Sequence, residues 1–175
     1  MAERLRRPAV FLDRDGILNV DRGYVSSRAN FEWIPGAIEA VKSLNDAGYY
    51  VFIATNQSGI ARGLYTERDM QALHDFMADE FKRGGAHIDD WRYCPFHAEG
   101  TVKEFKRVSD WRKPGPGMIL DLIKAWPVDR ENSVLIGDKE SDLQAAQAAG
   151  VRALLFNGGN LHDFVRAKVL GSKKT

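Results

Sequence analysis

Residues 10–20 read VFLDRDGILNV, and this stretch decides the fold prediction for the whole chain. An apolar run is followed at once by two aspartates one residue apart, Asp13 and Asp15, and then by Gly16. Two like charges are costly to bury, so the pair needs a site that accommodates both of them. In an extended chain, residues i and i+2 point to the same side, and the two carboxylates are therefore expected to face one site.

Apolar strands and helix-like segments alternate along the rest of the chain. Thr66 and Asp69 resemble a capping box at the start of one helix. The rhythm predicts an α/β fold, a Rossmann-like doubly wound and mostly parallel sheet with helices on both faces. One domain spanning 1–175 is expected. Strands are predicted at 9–12, 49–54, 91–93, 134–136 and 152–156 (the last as an inner strand), and helices at 35–47, 67–83, 117–125, 141–149 and 161–169.

Composition argues against several classes of protein. Apolar residues make up 44%, charged residues 28% and the net charge is +1, which gives no basis for a nucleic-acid or membrane surface. The opening eight residues lack the apolar stretch of a secretory signal, and no run approaches the ~20 apolar residues of a membrane helix. The single cysteine, Cys94, fits a reducing compartment. We expect a cytoplasmic monomer without nucleic-acid or membrane partners.

Three predicted strands deliver polar groups to the edge where such sheets bind ligands. DRDG at 13–16 follows the first strand, TNQSG at 55–59 the second and GDKESD at 137–142 the fourth, while RKP at 112–114 adds two cations. Singly, each segment reads equally well as a turn or a helix cap. Together they supply the carboxylates, hydroxyl, backbone N–H groups and cation of a magnesium-dependent phosphoryl-transfer site.

These four motifs, in this order, resemble the haloacid-dehalogenase-like phosphohydrolases. NVDRGYV at 19–25, TNQSGIARG at 55–63 and RKPGPGM at 112–118 are more specific, and are similar to the branch of heptose-bisphosphate and histidinol phosphatases. The resemblance implies a phosphatase that removes the 7-phosphate of D-glycero-D-manno-heptose 1,7-bisphosphate, through an aspartyl-phosphate, in the supply of nucleotide-activated heptose for surface polysaccharide. Histidinol phosphate or another small phosphate monoester is the alternative substrate. A non-catalytic phosphosugar-binding protein is the alternative of another class.

The resemblance also implies roles for individual residues. Asp13 would be the nucleophile and Asp15 the general acid and base. Mg²⁺ would be held by Asp13, the backbone carbonyl of Asp15 and Asp138. Thr55 and Lys113 would complete the catalytic set as a hydrogen-bond donor and a cation. Contacts to a small phosphorylated sugar are expected from Asp21, Arg22, Gly23, Tyr24, Asn56, Gln57, Ser58, Arg112 and Lys139.

The chain departs from this branch at a loop that often carries zinc ligands in the pattern Cys-x-His and Cys-x-Cys. The matching places read CPF at 94–96 and SDW at 109–111, so three of the four ligands are replaced, and His97 lies one position late. One cysteine and one histidine do not supply a closed tetrahedral site, and zinc is not expected. We expect Phe96 and Trp111 to hold this loop by apolar contact instead.

The remaining expectations concern selectivity and supporting residues. Short connections between the motifs leave no room for a large cap domain, so selectivity is expected from the loops at 19–30 and 94–114. Asp142 is expected to support the loop around Asp138 or to cap the next helix, rather than to bind metal. Arg62 is interpreted equally well as a substrate contact or as a solvated charge. His74 is interpreted as a packing residue.

Overall fold

The computed structural model describes residues 5–171 and contains one sheet of five strands. Every pair of neighbouring strands is parallel. Helices alternate with the strands along the chain, which confirms the predicted doubly wound α/β fold without a large cap domain. The strands are β1 Ala9–Leu12, β2 Tyr50–Asn56, β3 Asp90–Cys94, β4 Val134–Gly137 and β5 Arg152–Leu155. Their order across the sheet is β3-β2-β1-β4-β5.

Two of the helices occupy the residues that the sequence predicts, and the other three differ by one to four residues at one or both ends. The capping box that opens α2 is complete, since Asp69 N–H donates to Thr66 Oγ1 at 3.1 Å and Thr66 N–H donates to Asp69 Oδ2 at 2.9 Å. No helix within residues 5–171 is long and apolar enough to cross a membrane. The helices are α1 Ala37–Asp46, α2 Glu67–Arg83, α3 Gly117–Ala125, α4 Glu140–Ala148 and α5 Leu161–Val165, the last continuing as a π-helical turn, Arg166–Leu170.

The three middle strands, β1, β2 and β4, are buried on both faces because apolar residues dominate both of their sides. In β1, Val10 and Leu12 pack into the core formed with α1, α2 and α5. Ala9 and Phe11 alternate with them and pack into a second core with α3 and α4. β1 is the middle strand of the sheet, and all four of its residues are buried. Its carboxyl end therefore lies at the middle of the sheet edge.

The prediction that β5 is an inner strand is wrong, because β5 lies at the edge of the sheet and pairs with β4 alone. Three consecutive apolar residues, 153–155, suggest burial on both faces. In the structure Arg152 is exposed and Leu155 is 43% exposed. An apolar run therefore marks the strand but does not locate it within the sheet.

The adjacency of β2, β1 and β4 positions the predicted motifs. Because these three strands are parallel neighbours, their carboxyl ends meet at one edge, where α/β sheets bind ligands. The loop at 19–30 is anchored there by isolated bridges that join Asn19 to Asp15 and to Trp33. The segments after all three strands are thus brought together with the loop expected to bind substrate.

Candidate active site

A cleft of about 590 Å³ opens where the segments after β1, β2 and β4 converge. It is lined from several parts of the chain that are distant in sequence, including the loops at 19–30 and 94–114. Most of the residues predicted to form the site line this cleft, namely Asp15, Asp21, Gly23, Tyr24, Asn56, Gln57, Ser58, Arg112, Lys113 and Lys139.

Arg22 is the predicted substrate contact that does not line the cleft. Its guanidinium pairs with Glu32 at the surface, where both side chains are more than half exposed. The neighbouring Asp21 instead accepts a hydrogen bond from the backbone N–H of Gly23 at 3.0 Å. This tight turn presents Asp21 and Tyr24, but not Arg22, to the cleft.

Asp13 and Lys113 form the buried centre of the site. Asp13 Oδ1 accepts a hydrogen bond from the Arg14 backbone N–H at 2.7 Å and lies 3.3 Å from Lys113 Nζ. Burial raises the pKa of Asp13 to about 7, a value that includes the opposing effect of the Lys113 ammonium and the smaller upward effects of the Asp142, Asp15 and Asp138 carboxylates. The site therefore carries more negative charge than Lys113 balances.

Asp142 holds Lys113 in place and also supports the loop after β4. Its Oδ1 accepts from Lys113 Nζ at 2.6 Å, and its Oδ2 accepts from the backbone N–H groups of Asp138 and Lys139, each at 3.2 Å. Burial alone would lower the pKa of Lys113, but Asp13 and Asp142 outweigh it and raise the pKa. The supporting role expected for Asp142 is confirmed, whereas its pairing with Lys113 was not foreseen from the sequence.

Asp138 is placed beside Asp13 by an unusually close backbone approach. Gly16 has φ of +86°, and a Cβ built on it would lie 2.1 Å from Asp138 Oδ2. Only glycine fits there, which explains on steric grounds why the DRDG segment ends in glycine. Burial raises the pKa of Asp138, and the Asp142 carboxylate adds to this shift.

This acidic group has the composition of a cation site. Oxygens of Asp13, Asp138 and Asp142 all lie within 4.8 Å of one another. Asp138 Oδ1 is buried and has no hydrogen-bond partner among residues 5–171, so it is available to a ligand. Carboxylate oxygens suit Mg²⁺, and a cation between Asp13 and Asp138 would offset the negative charge that, after burial, contributes to raising both pKa values.

Asp15 is held by three side chains. Its Oδ1 accepts from Arg14 Nη2 at 2.9 Å and from Asn19 Nδ2 at 3.0 Å, and its Oδ2 accepts from Gln57 Nε2 at 3.1 Å. Gln57 is only 2% exposed, and its amide also donates to Thr55 Oγ1 at 2.8 Å. Gln57 therefore ties Asp15 to Thr55.

Tyr65, which the sequence analysis did not single out, fixes the orientation of the Gln57 amide. Its hydroxyl donates to Gln57 Oε1, so the amide nitrogen must face Thr55 and Asp15. Burial raises the pKa of Tyr65 to about 12, and the hydroxyl keeps its proton. Asn56 has a comparable supporting role, since its side-chain amide makes two hydrogen bonds, at 3.0 and 3.1 Å, to the backbone of Lys113.

The sequence analysis did not single out Arg14 and gave His74 only as a packing residue, so it missed the contact between them. Arg14 is fully buried and His74 is 5% exposed, and the two meet at 3.2 Å between Arg14 Nη1 and His74 Nε2. Burial and, to a smaller extent, the Arg14 charge lower the pKa of His74 to about 3, so the imidazole is neutral. An arginine placed between two site aspartates directly after a buried strand is the one sequence signal that could have indicated this pair.

Several cations surround the mouth of the cleft. Lys139 Nζ lies 3.5 Å from Asp21 Oδ2, and the Lys139 side chain is 60% exposed. Arg62 and Arg112 both line the cleft, and each has a buried nitrogen, Arg62 Nε and Arg112 Nη1, without a hydrogen-bond partner in the described part of the chain. Arg62 Nη2 also lies 3.2 Å from His97 Nε2. The site thus has aspartates at its base and arginine and lysine side chains around its opening.

The loop at 94–114 is packed by aromatic side chains. Phe96 and Trp111 pack against the buried Cys94, Met118 and Ala54, and the Arg107 guanidinium lies 3.8 Å from the centre of the Phe96 ring. Burial raises the pKa of the Cys94 thiol. Asp13, Asp138 and Asp142 are the one group of three or more potential metal ligands found within residues 5–171, and Cys94 and His97 are not part of it.

Comparison with known proteins agrees with this geometry. A family profile described as HAD-hydrolase-like matches residues 110–168. The chain is 53% identical to the D-glycero-β-D-manno-heptose-1,7-bisphosphate 7-phosphatase of Rhodopseudomonas palustris, over 92% of this chain and 89% of that protein. It is 46% identical to the protein of the same name from Escherichia coli, over 82% of this chain and 75% of that protein.

Solved structures give the same result. The D,D-heptose 1,7-bisphosphate phosphatase of B. bronchiseptica, complexed with magnesium and phosphate, superposes with a TM-score of 0.77 at 34% identity, covering 91% of this chain and 86% of that one. The corresponding protein of Burkholderia thailandensis has a TM-score of 0.62 at 30% identity, covering 92% and 85%. On this sequence identity and shared architecture, the chain belongs to the haloacid-dehalogenase-like hydrolases, within the family of heptose-bisphosphate phosphatases.

Proposed function

We propose that this protein is a magnesium-dependent phosphatase that removes the 7-phosphate of D-glycero-β-D-manno-heptose 1,7-bisphosphate, in the supply of nucleotide-activated heptose. The observation that carries the proposal is the convergence of Asp13, Asp15, Lys113 and Asp138 at one edge of the sheet. The names of the relatives support the substrate and its β anomer.

In the proposed first step, a carboxylate oxygen of Asp13 attacks the phosphorus and the bond from phosphorus to the sugar oxygen breaks. Asp15 gives its proton to the departing sugar oxygen. The resulting aspartyl-phosphate splits one difficult displacement into two easier ones. In the second step Asp15 takes a proton from water, the water oxygen bonds to phosphorus and Asp13 is released.

Thr55 and Lys113 would stabilise the transferring phosphoryl group. The Thr55 hydroxyl oxygen accepts from Gln57 at 2.8 Å and donates to the Asn56 carbonyl over a long 3.5 Å, a contact that it would exchange for a phosphate oxygen. Lys113 has an ammonium group that the two carboxylates keep charged. Fixed donors of this kind act where negative charge develops. Asn56 and Gln57 would contribute mainly by holding Lys113, Thr55 and Asp15.

Asp13, Asp138 and the backbone carbonyl of Asp15 would hold Mg²⁺. The buried and unpartnered Asp138 Oδ1 supports this assignment. Asp142 is a weaker candidate ligand because both of its oxygens already accept hydrogen bonds from Lys113 and from backbone N–H groups. When bound, Mg²⁺ would neutralise the approach of the phosphate dianion and orient the phosphoryl group.

Arg112, Arg62 and Lys139 would hold the second phosphate of a bisphosphate substrate. The buried and unpartnered nitrogens of Arg62 and Arg112 support this part of the proposal, because an arginine fork matches phosphate geometry. Asp21, Gly23 and Tyr24, in the loop opposite, are placed to contact the sugar. Arg22 would reach the substrate only if its pair with Glu32 opened.

The loop at 94–114 would keep its shape without zinc. Packing of Phe96 and Trp111 on Cys94, together with the Arg107 guanidinium over Phe96, supports this. A structural zinc site needs about four nitrogen or sulfur ligands. Cys94 and His97 offer two.

Phosphate release from the α and β anomers of heptose 1,7-bisphosphate, with and without Mg²⁺, tests the proposed function. Histidinol phosphate and fructose 1,6-bisphosphate serve as comparison substrates, and Asp13→Asn as the inactive control. Magnesium-dependent turnover of the β anomer, lost in Asp13→Asn, is expected. Preference for histidinol phosphate would reassign the substrate, and phosphate binding without turnover of any substrate would make the chain a binding protein.

A further inference from the structure

Arg14 has an unusual environment for an arginine. It lies between the two site aspartates and its side chain is fully buried. Its Nη2 donates to Asp15 Oδ1 at 2.9 Å and to the Val25 carbonyl at 2.6 Å, while its Nε has no hydrogen-bond partner among the described residues. A buried, partly unsatisfied charge is seldom the most stable choice, and apolar side chains often replace one without loss. Stability alone therefore does not account for Arg14.

The contacts of Asp15 indicate what Arg14 does. A carboxylate has about four lone-pair positions, two on each oxygen. Arg14 and Asn19 occupy both positions on Oδ1, and Gln57 occupies one on Oδ2. One position, on Oδ2, is left for a proton.

The guanidinium is itself held in place from α2. His74 Nε2 lies 3.2 Å from Arg14 Nη1 and, because the imidazole is neutral, accepts a hydrogen bond there. The His74 ring is stacked on Trp91 with 4.7 Å between ring centres. The Val25 carbonyl, which accepts a hydrogen bond from Arg14 Nη2, belongs to the loop at 19–30 that lines the cleft. Arg14 therefore joins α2, Asp15 and the substrate loop.

We propose that Arg14 is a positioning residue, whose guanidinium is held by His74 and binds Oδ1 of Asp15, so that Oδ2 stays free for proton transfer. The same guanidinium fixes Asp15 relative to the loop at 19–30. The inference rests on the proposed function, in which Asp15 is the general acid. In the phosphorylation step the Asp13–phosphorus bond forms, the bond from phosphorus to the sugar oxygen breaks and the proton passes from Asp15 Oδ2 to that oxygen. Without Arg14, only Asn19 and Gln57 hold the carboxylate, and its free lone pair is no longer fixed toward the sugar oxygen.

The test compares a leaving group that needs the proton with one that does not. The rate of the first turnover is measured for heptose 1,7-bisphosphate and for p-nitrophenyl phosphate, whose phenolate leaves unprotonated. Arg14→Met is expected to slow the sugar reaction by about 100-fold and the aryl reaction by no more than about threefold. Arg14→Lys keeps a cation but cannot reach Asp15, His74 and Val25 together, and an intermediate loss is expected. His74→Phe, which keeps a ring on Trp91, should show the same selectivity in weaker form.

Arg92→Met is the matched control. Arg92 of β3 is also an ion-paired arginine, bound to Asp90 of β3 and to Asp121 of α3, and its loss should change both rates by the same small factor. If folded Arg14→Met, Arg14→Lys or His74→Phe slows both reactions equally, the positioning role is overturned. If wild type is inactive on heptose 1,7-bisphosphate but hydrolyses another sugar phosphate, the proposed substrate fails while the ratio measured on that other ester still tests Arg14. Inactivity on every sugar phosphate would overturn both proposals.

Discussion

The buried pair of Lys113 and Asp142 yields a quantitative prediction for Asp142→Ala. The two charged atoms are 2.6 Å apart and both side chains are at most 2% exposed. Their attraction at an effective dielectric of about 20 is about 6 kcal/mol, an upper limit since burial costs oppose it. Removing one partner of a buried pair typically destabilises by about 3–5 kcal/mol, and because Lys113 keeps Asp13 as a second carboxylate partner at 3.3 Å, the loss of the pair itself lies at the low end. The backbone N–H groups of Asp138 and Lys139 also lose their acceptor, so we expect a loss in this range.

Urea unfolding at pH 7 measures this loss, and a protein of this size should also melt about 6–20 °C lower. Asp142→Asn is expected to recover little of it, because the amide would turn an NH₂ group toward either Lys113 or the backbone donors. Asp46→Ala is the matched control. It removes a pair of similar length, 2.7 Å to Lys42, but one that is exposed, and should cost at most about 0.5 kcal/mol. A loss below about 1 kcal/mol in Asp142→Ala would refute the reasoning.

Gly16→Ala is expected to reduce phosphate release by at least about 100-fold in a folded protein, because the new Cβ would lie 2.1 Å from Asp138 Oδ2 and displace a proposed metal ligand; activity within tenfold of wild type would contradict this. His74 stays neutral when folded, with its pKa lowered to about 3, so the unfolded chain binds a proton first as pH falls below about 6.5. Unfolding free energy should then fall between pH 7 and pH 5 by about 2 kcal/mol more in wild type than in His74→Phe, and equal pH dependence would argue against a buried neutral histidine. Purified protein is expected to contain no stoichiometric zinc, and a zinc-selective chelator in excess Mg²⁺ should leave the melting temperature unchanged; one zinc per chain would refute the proposal that the loop at 94–114 keeps its shape without zinc.

Features of the fold that depend on local sequence were predictable. The capping box of Thr66 and Asp69 and the apolar run of β1 are encoded within a few residues, so their positions agree with the structure. Parallel strands also place their carboxyl ends at one edge, so the convergence of the four motifs could be predicted from topology alone. The position of β5 at the sheet edge could not, because an apolar run does not specify how many partners a strand has.

The contacts that hold the site together depend on pairs distant in sequence. Lys113 and Asp142 are 29 residues apart, and Arg14 and His74 are 60 residues apart. No local pattern distinguishes a buried arginine from a solvated one, and burial of Arg14 depends on how α2 packs over the sheet. Similarly, Gln57 reads as a substrate contact in TNQSG, whereas its burial and its bonds to Asp15, Thr55 and Tyr65 appear only in three dimensions.

The central claim, that Asp13 is the nucleophile, is tested most directly by trapping the phosphorylated protein. Asp15→Asn, incubated with p-nitrophenyl phosphate and Mg²⁺, can complete the first step but lacks the base for the second. Quenching in acid followed by peptide mass spectrometry should then find one phosphoryl group, labile to hydroxylamine, on the peptide that contains Asp13. A phosphoryl group on another residue, or release of nitrophenolate with no labelled peptide at any time, would contradict the account.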